Sequence, residues 1–156
     1  ENEGLFQDLE ADAYDLPKYT CYVVYRAVCC YYAKKYDEAA RWVNNLLNEM
    51  SLKKYPVAHL EVKLLLALQY CLLNDYELFS QLLNSIQRQI RIMGKDECEH
   101  MLLFTKIMKT SLYDSKNGKA AKIRTLIEKL QKTEIKGFTI VKLIKMDESF
   151  VARLSN

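Results

Sequence analysis

The stretch Tyr19-Thr-Cys-Tyr-Val-Val-Tyr-Arg-Ala-Val-Cys-Cys-Tyr-Tyr-Ala-Lys-Lys35 runs directly into Tyr36-Asp-Glu-Ala39, and together these residues set the plan of the chain. In its first part, apolar residues recur at the three- and four-residue spacing of one helix face: Val24, Ala27, Val28 and Tyr31. Asp37 suits the start of a second helix, because its carboxylate can accept hydrogen bonds from the first unpaired N–H groups. Residues 19–50 therefore predict a pair of antiparallel helices.

The same pattern returns after about 40 residues, which indicates a repeat architecture. This shift aligns three first helices through Val24, Leu64 and Phe104, through Ala27, Ala67 and Ile107, and through Val28, Leu68 and Met108. It also aligns three second helices through Val43, Leu83 and Ile123, through Leu46, Ile86 and Leu126, and through Met50, Ile90 and Leu130. The sequence predicts helical hairpins over residues 19–50, 56–93 and 95–132.

Both ends of the chain are expected to complete this stack. The spacing of Leu5, Phe6 and Leu9 predicts an N-terminal helix over residues 1–16, which ends before Pro17. Residues 133–156 are expected to form a C-terminal cap, with residues 138–144 as a short helix, because an all-helical stack offers a strand no partner. The predicted fold is an all-α, right-handed α-solenoid of stacked antiparallel helix pairs that forms one domain over residues 1–156.

The hairpins resemble the tetratricopeptide repeat (TPR) family over residues 19–132. The residues that carry the resemblance are Ala27 with Tyr36-Asp-Glu-Ala39, and Ala67 with Tyr70 and Tyr76. The resemblance implies a TPR-like superhelix whose role is to bind other proteins. TPR domains that clamp a peptide carboxylate carry Lys and Asn in their first helices, at places that match Val24, Val28, Leu64 and Leu68 here. The resemblance therefore implies that this clamp is absent.

Composition agrees with a helical domain. Only four glycines and two prolines interrupt 156 residues, which favours long helices over a many-turned β fold. The longest apolar run, residues 62–73, is broken by Lys63 and Gln69 and is too short to span a membrane. The chain begins with neither Met nor a signal peptide, so we expect a piece of a longer protein. Five cysteines without a C-x-x-C pair favour reduced thiols and a cytoplasmic location.

Residues able to support catalysis are few. The only histidines are His59 and His100, and neither belongs to a catalytic or metal-binding motif. Cys98 and His100 are two residues apart, so on a helix their side chains diverge and would not meet on one metal. The sequence predicts no catalytic residue, no metal site and no cofactor.

One helix face in the first hairpin is aromatic and is a candidate binding surface. This second apolar face of the first helix consists of Tyr22, Tyr25 and Tyr32. Tyrosine is common at interfaces because it joins a large apolar ring to a polar tip. The alternative, which repeat architecture favours, is that residues 5–14 pack over these tyrosines as a preceding repeat would.

Charge is unevenly distributed along the chain. Residues 1–15 contain six acidic residues and no Lys or Arg, whereas residues 106–145 contain eleven basic residues against three acidic ones. The basic segment supplies candidate anion-binding residues: Lys119, Lys122, Lys129 and Lys132. Aromatic residues do not alternate with these lysines in sequence, which argues against recognition of single strands by base stacking.

The favoured function is a non-catalytic protein-interaction or scaffold module with an unidentified protein partner, inferred from architecture. The alternative is binding of nucleic acid or an anionic surface through residues 106–145, and a nucleic acid partner is the less favoured of the two.

Overall fold

The computed structural model describes residues 16–156, which form seven α-helices, two 3-10 turns and no strand. The helices are α1 (Lys18–Tyr32), α2 (Tyr36–Glu49), α3 (Pro56–Leu72), α4 (Tyr76–Met93), α5 (Glu99–Tyr113), α6 (Lys119–Gln131) and α7 (Glu148–Ser155). The predicted all-α class is confirmed. The helix predicted over residues 1–16 lies outside the described residues, apart from Leu16.

The turns that join α1 to α2 and α3 to α4 share one hydrogen-bond pattern, displaced by 40 residues. The N–H groups of Ala33, Lys34 and Lys35 donate to the carbonyls of Cys29, Tyr31 and Cys30, and those of Leu73, Asn74 and Asp75 donate to Gln69, Cys71 and Tyr70. Each turn has one residue of positive φ, Lys34 (61°) or Asn74 (55°). The repeat seen in the sequence therefore extends to backbone geometry.

Helix starts are less regular than the turns. Asp75 caps α4, since its carboxylate accepts the N–H of Leu78 at 3.1 Å. The expected cap at Asp37 is wrong, because Lys35 occupies the capping position and Asp37 lies in the first turn of α2. Its carboxylate lies 3.9 Å from Arg41 on the exposed surface.

The core follows the 40-residue alignment. Of the aligned apolar positions, only Val28 and Met50 are partly exposed, and the others are buried. Helix α3 lies at the centre, where it packs against α2, α4 and α5. Val62 and Leu65 of this helix, outside the aligned positions, are also fully buried. The third hairpin joins this core through α3 and α5, and a 3-10 turn at Lys95–Cys98 contacts both α4 and α5.

Within residues 138–144 of the C-terminal segment, where a short helix is expected, the structure has a four-residue 3-10 helix at Ile140–Leu143, flanked by extended backbone at Thr139 and Ile144. Helix α7 follows. The segment also contacts more than the last hairpin, since it makes hydrogen bonds to Tyr32 on α1, Glu61 on α3 and Ser111 on α5. Five of its side chains are buried in the core: Ile140, Ile144, Phe150, Val151 and Leu154. We call residues 139–155 the tail.

The tail should be an integral part of the folded core. Phe150 is 1% exposed, so Phe150→Ala should lower the free energy of unfolding by about 3–5 kcal/mol through lost burial and a cavity. Urea unfolding measures this change. The neighbouring Ser149 is exposed, so Ser149→Ala should have little effect. Equal stability of the two variants would contradict a buried tail.

Candidate functional site

The predicted aromatic surface on α1 divides into two parts. Tyr22 is 39% exposed and packs edge-on against Trp42 of α2, with ring centroids 6.1 Å apart. Arg26 lies 5.6 Å from the centre of the Trp42 ring, and Tyr25 is partly exposed. The predicted covering segment, residues 5–14, lies outside the described residues.

Tyr32 belongs to a different site from Tyr22 and Tyr25. Its hydroxyl donates to the carbonyl of Leu143 at 2.7 Å and accepts the N–H of Lys145 at 2.9 Å. The Leu143 carbonyl and the Lys145 N–H flank Ile144, in extended backbone that cannot form hydrogen bonds within itself as a helix does. The Tyr32 hydroxyl gives each of these two groups a hydrogen-bond partner. In this structure Tyr32 therefore binds the chain's own tail.

The end of the tail meets an aromatic cluster at the first turn. The Arg153 guanidinium lies 5.2 Å from the centre of the Tyr31 ring, and it donates to the Tyr36 hydroxyl at 3.2 Å. Tyr31 is fully buried, and within residues 16–156 its hydroxyl has no hydrogen-bond partner. Burial raises the pKa of Tyr31 from 10.0 to about 12, because the phenolate would lose its hydration there.

This burial predicts a stability loss in alkali. Above about pH 10 the unfolded chain releases the Tyr31 proton while the folded chain keeps it, so the free energy of unfolding should fall between about pH 10 and about pH 12. Below pH 10 the contribution of Tyr31 is constant, because both states are protonated. Tyr31→Phe should remove this part of the decline and, at neutral pH, should leave stability equal or higher, since it deletes an unpaired hydroxyl.

Urea unfolding of wild type and Tyr31→Phe across this pH range isolates the contribution, because other titrating groups cancel in the difference. Tyr36→Phe is the matched control: it deletes a hydroxyl that Arg153 uses, so it should cost roughly 1 kcal/mol at neutral pH. If Tyr31→Phe were less stable than Tyr36→Phe at neutral pH, the conclusion that the Tyr31 hydroxyl has no hydrogen-bond partner would be contradicted.

Glu61 is a buried carboxyl that joins three parts of the fold. It is 0% exposed, in the middle of α3. Its Oε1 lies 2.8 Å from Nε2 of His100 on α5. Its Oε2 accepts the hydroxyl of Thr139 at 3.1 Å and the N–H of Ile140 at 2.8 Å. The first residues of the tail are therefore held by a side chain of the central helix.

Loss of this carboxyl should release the start of the tail. Glu61→Ala leaves His100, Thr139 and the Ile140 N–H buried without their partner, so we expect the free energy of unfolding to fall by about 3–5 kcal/mol. Amide exchange at Ile140 should also become faster. Urea unfolding and hydrogen exchange measure the two effects. Glu128→Ala, an exposed site on α6, is the control, and an Ile140 amide equally protected in both variants would refute the link.

The four predicted anion-binding lysines do not act alike. Lys119 is 7% exposed, and its ammonium donates to the carbonyl of Ser111 at 2.7 Å. This hydrogen bond ties the start of α6 to the end of α5 and occupies the ammonium that was expected to bind an external anion. Lys122 pairs with Asp114 at 2.8 Å. Lys129, near the end of α6, and Lys132, just after it, are exposed.

A cleft of about 320 Å³ lies between α5 and α6. Its lining consists of Lys106, Lys109, Thr110, Tyr113, Asp114, Lys122 and Leu126. Lys106, Lys109 and Tyr113 are three and four residues apart, so they share one face of α5. Lys122 and Leu126 occupy neighbouring positions on α6. We call this feature the lysine cleft, since it combines a lysine rim with the apolar surface of Tyr113 and Leu126.

An exposed aromatic pair borders the lysine cleft. Tyr76, at the start of α4, is 53% exposed, and Tyr113 is 50% exposed, with the two ring centroids 6.3 Å apart. Tyr113 also packs on the buried Phe79 at 6.1 Å, which fixes its ring. Tyr113 is not evident from the order of lysines and aromatic residues along the chain, because the lysines nearest to it in sequence do not alternate with aromatic residues. The signal was the Lys106, Lys109 and Tyr113 spacing on one helix.

The groups considered for catalysis have structural partners. His59 lies 3.3 Å from Gln89, and His100 is held by Glu61. Burial raises the pKa of the Cys71 thiol to about 11 and also raises that of Cys98, which opposes thiolate formation. Within residues 16–156, no group of three or more His, Cys, Asp and Glu side chains is arranged to hold a metal ion.

Comparison with known proteins identifies no relative, since no protein-family model, curated protein or solved structure matches this chain. None of the helices between residues 16 and 156 has both the length and the apolar character needed to cross a bilayer.

Proposed function

We propose that this chain is a non-catalytic protein-interaction module, a TPR-like α-solenoid of three helical hairpins that acts as part of a larger protein. Support comes from the 40-residue alignment of buried positions and from the turn that α1–α2 and α3–α4 share. The buried His100, held by Glu61, and the raised pKa values of the Cys71 and Cys98 thiols are consistent with a role that does not require an activated nucleophile.

The observation that carries the proposal is the Tyr76–Tyr113 pair. Two large rings pack on each other outside the core and remain half exposed, although the chain has a core large enough to bury them. Exposed aromatic surface of this kind is a frequent feature of protein interfaces, because burial of a tyrosine ring on binding releases much apolar area from water.

The tail limits where a partner can bind. It covers parts of α1, α3 and α5, the first helices of the three hairpins. Five apolar side chains of the tail are buried in the core, so a partner that displaced the tail would expose them to water. We therefore propose that a partner binds to surfaces that the tail does not cover.

The nucleic acid alternative has weaker support. Within residues 16–156, five basic residues of segment 106–145 are already engaged: Lys122 with Asp114, Arg124 with Glu148, Lys136 with Glu134, Lys145 with Asp147, and Lys119 with a carbonyl. The segment therefore offers less free positive charge than its composition indicates. Three lysines line the lysine cleft. Lys122 pairs with Asp114, whereas Lys106 and Lys109 make no ion pair with any residue between 16 and 156.

Affinity purification of the full-length protein from its own cells tests the proposal. We expect the same partner proteins in repeated purifications, and we expect their recovery to survive nuclease treatment, since the proposed interface is between proteins. Recovery that nuclease abolishes would favour the nucleic acid alternative, and reproducible recovery of no protein would contradict the proposed function.

A further inference from the structure

We propose that the lysine cleft is the docking site for an acidic peptide segment that carries an aromatic or aliphatic anchor residue. This inference rests on the proposed protein-interaction function and names the chemistry of the partner. In the bound state, the anchor side chain would occupy the cleft between Tyr113 and Leu126, and acidic residues on either side of it would meet the lysine rim.

The shape of the lysine cleft suits such an anchor. Its volume of about 320 Å³ lies at the lower end of the range for ligand pockets, which is enough for one large side chain and part of its backbone. Leu126 is 9% exposed and belongs to the core, so the base of the cleft is apolar and rigid. Tyr113 is fixed by Phe79, which lowers the entropy that it would lose on binding.

The positive charge of the lysine cleft predicts that its partner carries negative charge. Lys106 and Lys109 are exposed and make no ion pair with any residue between 16 and 156, and Lys122 shares its charge with Asp114. The lining thus holds three ammonium groups against one carboxylate. A positive rim around an apolar base attracts a negatively charged segment and adds specificity through complementary charge.

The same observations favour a peptide over nucleic acid. The rings of Tyr76 and Tyr113 are tilted by 43°, so they do not form two parallel platforms for successive bases. Beyond the cleft, Arg124, Lys136 and Lys145 lie next to carboxylates, which interrupts a phosphate track.

A random peptide library displayed on phage tests the proposal with the intact 156-residue protein as bait. We expect enrichment of net-negative peptides with one conserved Phe, Tyr, Trp, Leu or Ile. The double variant Lys106→Glu/Lys109→Glu should weaken the best synthetic peptide at least about tenfold in fluorescence anisotropy, and rising salt should weaken binding to the wild type. Tyr113→Ser should also weaken it.

Matched controls separate the cleft from general surface charge. Lys129→Glu/Lys132→Glu makes the same charge change at the same sequence spacing, at the C-terminal end of α6 and just beyond it, and it should change the affinity by no more than about twofold. Tyr19→Ser removes another exposed tyrosine, away from the lysine cleft, and should leave affinity unchanged. Circular dichroism verifies that each variant keeps its helices. The lysine variants alter only exposed side chains, so they test the proposal even if Tyr113→Ser unfolds.

The other outcomes overturn the proposal. These are a library that yields no enriched peptide, enriched peptides without acidic residues, and peptides that bind the Lys106→Glu/Lys109→Glu variant as well as wild type.

Single-stranded oligonucleotides that bind at low salt and depend on Lys106 and Lys109, with no peptide bound, would assign the cleft to nucleic acid. A synthetic peptide of residues 1–15 that bound the cleft more tightly than any selected peptide would assign it to the chain's own acidic segment. In each of these cases, the proposed protein-interaction function would still hold if affinity purification recovered the same partner proteins with the cleft variants as with the wild type.

Discussion

The burial of the middle of α3 is the constraint on which the rest of the structure depends. This helix packs on α2, α4 and α5 and also contacts the 3-10 turn of the tail. Apolar side chains suit so enclosed a stretch, yet Glu61 lies within it with no exposed surface. The carboxyl is tolerated because three donors from two other elements meet it, and a buried charge or polar group needs such partners. Glu61 therefore joins the hairpins to the tail.

The tail changes how the hairpins can be used. Stacked helical hairpins leave an extended surface along their first helices, which is the surface that repeat proteins commonly offer to partners. Here the chain places its own extended segment there, and side chains of α1 and α3 hold its backbone through Tyr32 and Glu61. The proposed partner would therefore bind to a surface that the tail does not cover. The half-exposed Tyr76 and Tyr113 lie on that surface, beside the lysine rim.

Pairing of charges explains why a strongly basic segment gives only a small basic site. Lys119 is used to connect two helices, and other cations of the segment lie beside carboxylates. Of the lysines that have no such partner among the described residues, Lys106 and Lys109 lie next to one aromatic ring, Tyr113, in the lysine cleft. A surface of this size is suited to a short charged segment with one anchor, because shape and apolar contact can then add to charge.

The sequence by itself determined the helices, the 40-residue alignment and most of the core, since helical periodicity is a local property that each side chain reveals through its spacing. It placed the three candidate tyrosines on α1, but only the tertiary structure decided that Lys119 contacts Ser111 and that Tyr32 contacts the tail. It also decided that the tail crosses α1, α3 and α5 and that Tyr113 meets Tyr76. The physical reason is that such contacts join residues far apart in the chain: Tyr32 lies 111 positions from Leu143 and 113 from Lys145. Their free energy depends on how whole helices pack, which no local spacing encodes.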